Sequence, residues 1–341
     1  MSGTALVVLR CSGLASLQDG GRPGYQRYGL SVSGPMDPLA MASANALVGN
    51  APAVSAVEFG LGGGSFRAEG AELHLAIAGA VGVVTVDGRP LIGSRSFTLS
   101  DGAEMTIAPP RQGSFGYLAV AGGWLTKPVL GSVALHLRAG IGSLAGTPLK
   151  DGDRLKATPT SRRLPDYALE SAPLYGGEPI RVILGPQEDH ISDDGLRTFL
   201  GKVFTLSHQA DRMGYRLDGP AIAHGAKGFN IVSDGTAPGS IQVPGNGSPI
   251  VLMADRQTTG GYPKIATVIS ADLRRVAQRR PGDEIRFAAV DLATARDAAR
   301  ALASRIRDLP RSLRDAEMAE IERLSRANLA GDVVDAMAEQ P

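Results

Sequence analysis

Three dense polar blocks interrupt an otherwise apolar, glycine-rich chain, and they hold the residues best suited to chemistry. The most informative is Ile250-Val251-Leu252-Met253-Ala254-Asp255-Arg256-Gln257-Thr258-Thr259-Gly260-Gly261-Tyr262-Pro263-Lys264-Ile265-Ala266. A strand-like apolar run delivers Asp255, Arg256, Gln257, Thr258 and Thr259 to its C-terminal end. Gly260 and Gly261 turn the chain past Tyr262, and Lys264 follows. Such a set offers a base or metal partner, a bidentate guanidinium for an oxyanion, hydroxyl donors and a second cation. Loops placed by a rigid strand are where such groups usually work.

The second block, Ser207 to Leu217, mixes the acid Asp211, the guanidiniums Arg212 and Arg216 and the amide Gln209 in a short span. It reads either as a surface turn or as the wall of a polar site. The first block runs Gln18-Asp19-Gly20-Gly21-Arg22-Pro23-Gly24-Tyr25 and continues to Asp37. Its glycines would let backbone N–H groups approach an anion, and Arg22 could hold a carboxylate or phosphate. Taken alone, it reads as a tight connection whose Asp and Gln cap turns. From the three blocks we take Asp255, Arg256, Lys264 and Arg212 as candidate catalytic residues. Candidate binding residues are Gln18, Asp19, Arg22, Gln257, Thr258, Thr259, Gly260, Gly261 and Tyr262.

The elements that must position these groups are mainly strands. Residues 4–10 (TALVVLR) predict a first strand. After the Gly/Pro-rich loop, Asp37 can cap a helix with Pro38 in its first turn, and Gly49 stops it. From Val54 to Ala121, short apolar runs alternate with turn signals, Asp87-Gly88 and Asp101-Gly102 among them. That spacing predicts a barrel or sandwich. Residues 157–179 read as a linker or surface excursion. A second β-rich block opens at Ile180, with short helices near 193–200 and 271–278. The chain therefore divides into a first β-rich domain (1–165), a second (175–290) and a C-terminal helical extension (291–341). In that extension Ile306, Leu309, Leu313, Ile321 and Leu324 would pack on the body or on a partner.

Composition bounds the function. The chain has 341 residues, 43% of them hydrophobic, and a net charge of +1, which excludes a largely disordered chain. Of its 44 glycines only Gly331 lies beyond residue 290, so the tight turns belong to the β-rich body. With 35 basic against 34 acidic residues and no basic block, a surface tracking nucleic acid is not expected. No apolar run is long enough to span a bilayer, and the N-terminal apolar stretch is too short for a signal peptide. A cytoplasmic location follows as the expectation, and the single cysteine, Cys11, fits a reducing compartment. Cys11 reads as a strand residue rather than a nucleophile.

Several familiar sites are missing from the sequence. It has no GxxxxGK[ST] loop, no HExxH and no GxSxG. The five histidines are not spaced as a metal cluster, so no metal is expected. His74 reads as a sheet residue, whereas His208 and His224 flank a polar block. The Gly140, Gly142, Ala145 string does not join a clear strand to a helix. No lysine lies between two methionines, so biotin, if used, would arrive on a separate carrier.

Taken together, the blocks resemble one family. QDGGRPGYQRYGLSVSGPMDPLAMASANALVGN is similar to its N-terminal signature. ADRMGYRLDGP, SDGTAPGSIQVPGNGSPIVLMADRQTTGGYPKIATVISADL and ANLAGDVVDA resemble its remaining marks. The family is that of the biotin-dependent carboxyltransferase and allophanate hydrolase subunit 2 proteins. It includes the C subunit of 5-oxoprolinase, the Kip-type antagonist of a sporulation kinase inhibitor and part of urea carboxylase. The resemblance covers nearly the whole chain, the Arg-rich stretch around 292–320 least.

The resemblance implies a mainly β fold with some α, made of cyclophilin-like β-barrel domains. It implies an obligate partner of the B-subunit type, joined in 5-oxoprolinase by the A subunit. The activity it implies is opening 5-oxoproline to L-glutamate with ATP hydrolysis. The alternatives are carboxyl transfer from carboxybiotin to urea or a related amide, and a regulatory role on a B-subunit-like protein.

Overall fold

The computed structural model describes residues 3–160, 164–170 and 176–326. It is built from two large sheets and a few short helices. The first sheet has eleven strands, nine of them before residue 157. Its spine is an antiparallel pair, Ala5–Gln18 against Ala56–Glu69, each 14 residues long. The first strand thus runs on past residue 10 to carry Gln18. The pair bends because the register shifts between Val8 and Arg10 and again between Ser12 and Leu14. Glycine permits this contact: a Cβ at Gly62 would lie 1.9 Å from the Ser12 carbonyl oxygen.

The Asp87-Gly88 turn forms the expected hairpin between Val84–Val86 and Arg89–Leu91, with both turn residues at positive φ. Asp101-Gly102 turns the chain without making a hairpin. The strands on either side, Ser94–Leu99 and Glu104–Ile107, pair with different neighbours. Partner choice is a tertiary decision that a local turn signal does not carry.

The second sheet has eight strands between Ile180 and Ala289. Its two edge strands, Glu284–Ile285 and Phe287–Ala289, are separated in sequence only by Arg286. The chain therefore passes directly from one edge to the other, and the sheet curls into a nearly closed barrel. The first sheet is the more open half-barrel. Barrel-type β architecture with few helices is the mainly β fold that the sequence leads one to expect.

Helix α1 (Pro38–Leu47) starts as read. The Asp37 carboxylate accepts from the N–H groups of Leu39 and Ala40, both at 3.1 Å. Nearly every α1 side chain is buried, because α1 sits between the halves. Its residues share one hydrophobic cluster with Tyr117 of the first sheet and with Ile180, Phe204 and Phe287 of the second. A separate cluster around Leu6, Phe59, Phe66, Leu75 and Ile77 fills the first half-barrel.

Helices α2 (Asp193–Gly201) and α3 (Leu273–Ala277) fall at the expected places. From α3, Arg274 reaches the Asp37 carboxylate at 2.9 Å; Gln278, just beyond the helix, does the same at 2.9 Å. The helix cap of one half is thus clamped by the other.

The 157–179 stretch is more than a linker. Its residues Tyr167–Leu169 form a strand of the first sheet, pairing with Ser94–Arg95 on one side and Arg314–Asp315 on the other. The C-terminal extension, α4 (Leu292–Asp308) and α5 (Ala316–Arg326), is tied back by that pairing and by Arg95–Glu320 at 2.8 Å. Leu309 is buried, Ile306 and Leu313 pack on the shared core, and Ile321 is exposed. The side chain of Leu324 and the stretch ANLAGDVVDA lie outside the described residues. Among the described residues no helix is long and apolar enough to cross a membrane.

Candidate functional site

The strand Ile250–Leu252 pairs antiparallel with Gly214–Arg216. The backbone bonds Met253 N–H to Met213 O (3.0 Å) and Asp255 N–H to Arg212 O (2.7 Å) extend that pairing. Two of the polar blocks are brought side by side in this way. Their side chains then meet: Arg212 donates from Nε to Asp255 Oδ2 at 2.8 Å and from Nη2 to Asp255 Oδ1 at 3.1 Å. Its Nη1 donates to Glu58, and its Nη2 also donates to the Gly34 carbonyl at 2.7 Å. Gln18 Oε1 lies at 3.5 Å from the same nitrogen. Arg212, Asp255, Glu58 and Gln18 are all buried.

Residues of all three blocks therefore converge on one guanidinium, at the junction between the two sheets. Burial works against the charge of Arg212, but Glu58 and Asp255 outweigh it and hold the guanidinium above its ordinary value. Glu58 is held in turn by the Tyr117 hydroxyl at 2.6 Å and the Met36 N–H at 2.8 Å. Burial, then the Glu58 and Asp37 charges, keep the Tyr117 phenol protonated. Every nitrogen of the Arg212 guanidinium and both Asp255 oxygens have a partner, which makes the two a rigid frame.

Asp19 is likewise committed. It accepts from Gly21 N–H at 2.8 Å, Ser132 Oγ at 2.5 Å and Val133 N–H at 2.8 Å, and so fixes the loop that follows. Lys264, buried, pairs with Asp234 at 2.8 Å, and Gln187 joins the same carboxylate at 3.1 Å.

Two other guanidiniums differ. Arg22 and Arg256 are 1% and 2% exposed. Arg22 donates from Nη2 to the Ala134 carbonyl, and its Nε and Nη1 have no partner. Arg256 donates from Nη2 to Gln26 Oε1 at 2.8 Å and to Thr236 O at 3.3 Å; its Nε and Nη1 are also unpartnered. Burial pulls both below the ordinary guanidinium value. At Arg22, Asp19 and Asp255 oppose that pull, whereas at Arg256 nothing does. Buried charges are normally paired. Open N–H groups on a dry guanidinium are what an incoming carboxylate or a developing oxyanion requires.

The rest of the third block faces another neighbourhood. Thr259–Gly260 pairs with Asp234–Gly235 as a short ribbon. Thr258 receives the Thr236 N–H on its carbonyl at 3.0 Å, and Gly261 receives that of Ile231 at 2.9 Å. Gln257 donates to Gln242 Oε1 at 3.1 Å, and Tyr262 lies half-exposed beside them. The structure thus separates the candidates. Gln18, Arg212 and Asp255 meet at the junction, and Gln257 to Lys264 line the far side of the 231–236 loop. Arg256 bridges the first block and the third.

Four contributors were not legible as candidates: Glu58, His136, Gln26 and Gln242. His136 is buried, bonded to Ser31 Oγ at 3.0 Å. Burial holds its imidazole below the usual value, with Asp255 opposing and Arg22 and Arg212 reinforcing. The one signal for Glu58 was a carboxylate set among the apolar residues and glycines of the first half of its strand, Ala56 to Gly64. His208 is exposed, and His224 bonds to the Val243 carbonyl at 3.1 Å. Beside the frame a cavity of about 180 Å³ is lined by Leu14, Leu135, Leu137, Met213, Arg212 and Asp255. Among the described residues no group of three His, Cys, Asp or Glu could hold a metal.

The barrel pair that frames this junction is the fold of a carboxyltransferase domain. The chain belongs to the family described as carboxyltransferase domain, subdomain A and B, whose model matches residues 28–289. It is 38% identical over 282 residues to the C subunit of 5-oxoprolinase from Escherichia coli (strain K12), covering 83% of this chain and 90% of that one. The same-named protein of Haemophilus influenzae is 36% identical over 289 residues, covering 84% and 91%. The name of each, as a C subunit, implies further subunits in those proteins. Among solved structures, the Kluyveromyces lactis urea carboxylase superposes with a TM-score of 0.83 at 25% identity, covering 91% of this chain and 29% of that one.

Proposed function

We propose that this chain is the C subunit of an ATP-dependent 5-oxoprolinase, opening 5-oxoproline to L-glutamate together with A- and B-type partner subunits in the cytoplasm. The observation that carries the reading is the identity of 38% and 36% along 90% and 91% of two proteins named as the C subunit of 5-oxoprolinase.

The chemistry explains why such a site would need buried cations. A lactam is a stable amide, and ATP supplies the activation of its carbonyl. Opening the ring adds water across the C–N bond, with hydroxyl going to carbon and a proton to nitrogen. The substrate carries a carboxylate, and negative charge builds on the carbonyl oxygen. Arg256 and Arg22, with open N–H groups in a dry setting, suit these two roles. Arg212 and Asp255 serve as positioning residues, because each is held in place by the other and Arg212 also by Glu58 and the Gly34 carbonyl. Lys264 orders the loop through Asp234.

A second reading, carboxyl transfer from biotin on a separate carrier to urea or a related amide, is favoured by the urea carboxylase superposition. Purification with candidate A- and B-type partners, followed by a glutamate-release assay, separates the two. Glutamate formed from 5-oxoproline only with ATP, and only when this chain is present, is the expected result. A stable complex that makes none, yet turns over carboxybiotin with urea, would replace the first reading with the second. A stable complex with neither activity would leave a regulatory role.

A further inference from the structure

Gln242 lies on the strand Ser240–Gln242, 2% exposed. The register against Lys264–Val268 slips at this residue: Ile241 faces Ala266, but Gln242 faces Lys264. Such a bulge re-aims a side chain, and bulges concentrate beside binding sites. The Gln242 carboxamide lines a cavity of about 470 Å³, together with Gln257, Tyr262, His208 and Arg216. That volume falls in the range of small-molecule sites.

Within this cavity wall the amide is only half used. Gln242 Oε1 accepts from Gln257 Nε2 at 3.1 Å, leaving one lone pair, and Gln242 Nε2 has no partner. A buried donor without a partner bears a desolvation cost with no return, and native proteins rarely keep one. Its space is conceded by glycine: a Cβ on Gly260 would lie 2.3 Å from Gln242 Nε2. Glycine is not needed there for a left-handed backbone, since Gly260 lies outside the positive-φ region. The bulge, the orphan donor and the missing Cβ all act on one group.

We infer that Gln242, backed by Gln257 and Gly260, forms an amide-recognition edge for ligands whose N–H and C=O lie on the same side. A carboxamide edge presents one N–H and one carbonyl lone pair. Its complement is therefore a C=O beside an N–H. Open-chain secondary amides hold these groups trans, on opposite sides. Lactams and ureido groups hold them together. Which of these is the physiological ligand rests on the lactam reading above; the chemistry of the edge does not.

The test uses Gln242→Met, which keeps the bulk and removes the amide, and Gly260→Ala, which drives a methyl into the Nε2 position. In the assembled complex both variants should raise KM for 5-oxoproline about ten-fold, with kcat within about two-fold. Unchanged KM in both would overturn the inference. Should the wild-type complex release no glutamate, the lactam hydrolase reading has failed, and the edge is then tested by direct binding. Ligand-observed NMR on the full chain would use 2-pyrrolidinone, 2-imidazolidinone and, as the trans control, N-methylacetamide. A signal from either ring that disappears in both variants supports the edge, and the preferred ring separates a lactam from a ureido source. No ring signal, equal signals in all three proteins, or equal binding of N-methylacetamide would overturn it.

Discussion

The Arg212 guanidinium clasps the Asp255 carboxylate through two hydrogen bonds of 2.8 and 3.1 Å, 43 residues apart in sequence and buried on both sides. A third contact, from Arg212 to Glu58, spans 154 residues and crosses from the second barrel to the first. Arg212, selected for chemistry, thus pins the second barrel to the first through Glu58, with Asp255 fixing its guanidinium. Removing one member of such a group leaves uncompensated charge in a dry interior.

Arg212→Met should therefore lower the unfolding free energy by about 3–5 kcal/mol, measured by urea denaturation. Glu58 and Asp255 would both lose their counter-charge. A loss below about 1 kcal/mol, the range of an exposed ion pair, would show that the cluster is not the structural pin.

Arg256 predicts the reverse pattern. Its charge is buried without a carboxylate partner among the described residues, so Arg256→Gln removes a desolvation cost. The melting temperature should hold or rise, while turnover by the assembled complex falls by about 10²-fold, as for loss of an oxyanion donor. A variant that melts lower yet turns over normally would assign Arg256 to the scaffold.

His136 should make stability depend on pH. Burial holds its folded value below about 6.5, so the folded form favours neutral imidazole. Above about 6.5 both states are neutral and its contribution is complete. As pH falls below that value, the unfolded chain takes up the proton first, and stability declines until the folded value is passed. Denaturation midpoints measured from pH 7.5 down to about 5 should show a slope that His136→Gln flattens. An identical slope in the variant would place the titration elsewhere.

Cys11 should be a poor nucleophile. It sits half-buried in the first strand, its N–H donating to Asp151 Oδ1 at 2.9 Å. Burial, then Asp151 and Asp153, push its thiol up to about 11. Alkylation by iodoacetamide at about pH 8 should run roughly two orders of magnitude slower than for a free thiol of pKa about 8.5. Labelling at the rate of a free thiol would contradict this.

What the sequence determined by itself was local. The Asp37-Pro38 helix start, the Asp87-Gly88 hairpin and the β-rich character of the body depend on a residue and its near neighbours. Strand-end blocks such as Asp255–Lys264 were legible for the same reason: polar groups at the end of an apolar run have few uses. The tertiary structure decided which of those groups remain open. Arg212 and Arg256 read alike in sequence, but barrel closure brought Glu58 and Asp255 to the first and only Gln26 and a carbonyl to the second. Gln242 carried no signal at all, because its orphan amide arises from a bulge against a strand more than twenty residues on and from the absent Cβ of Gly260. Element type is set by local chemistry and period. Partnership is set by which strands close the sheet, and no local pattern encodes that.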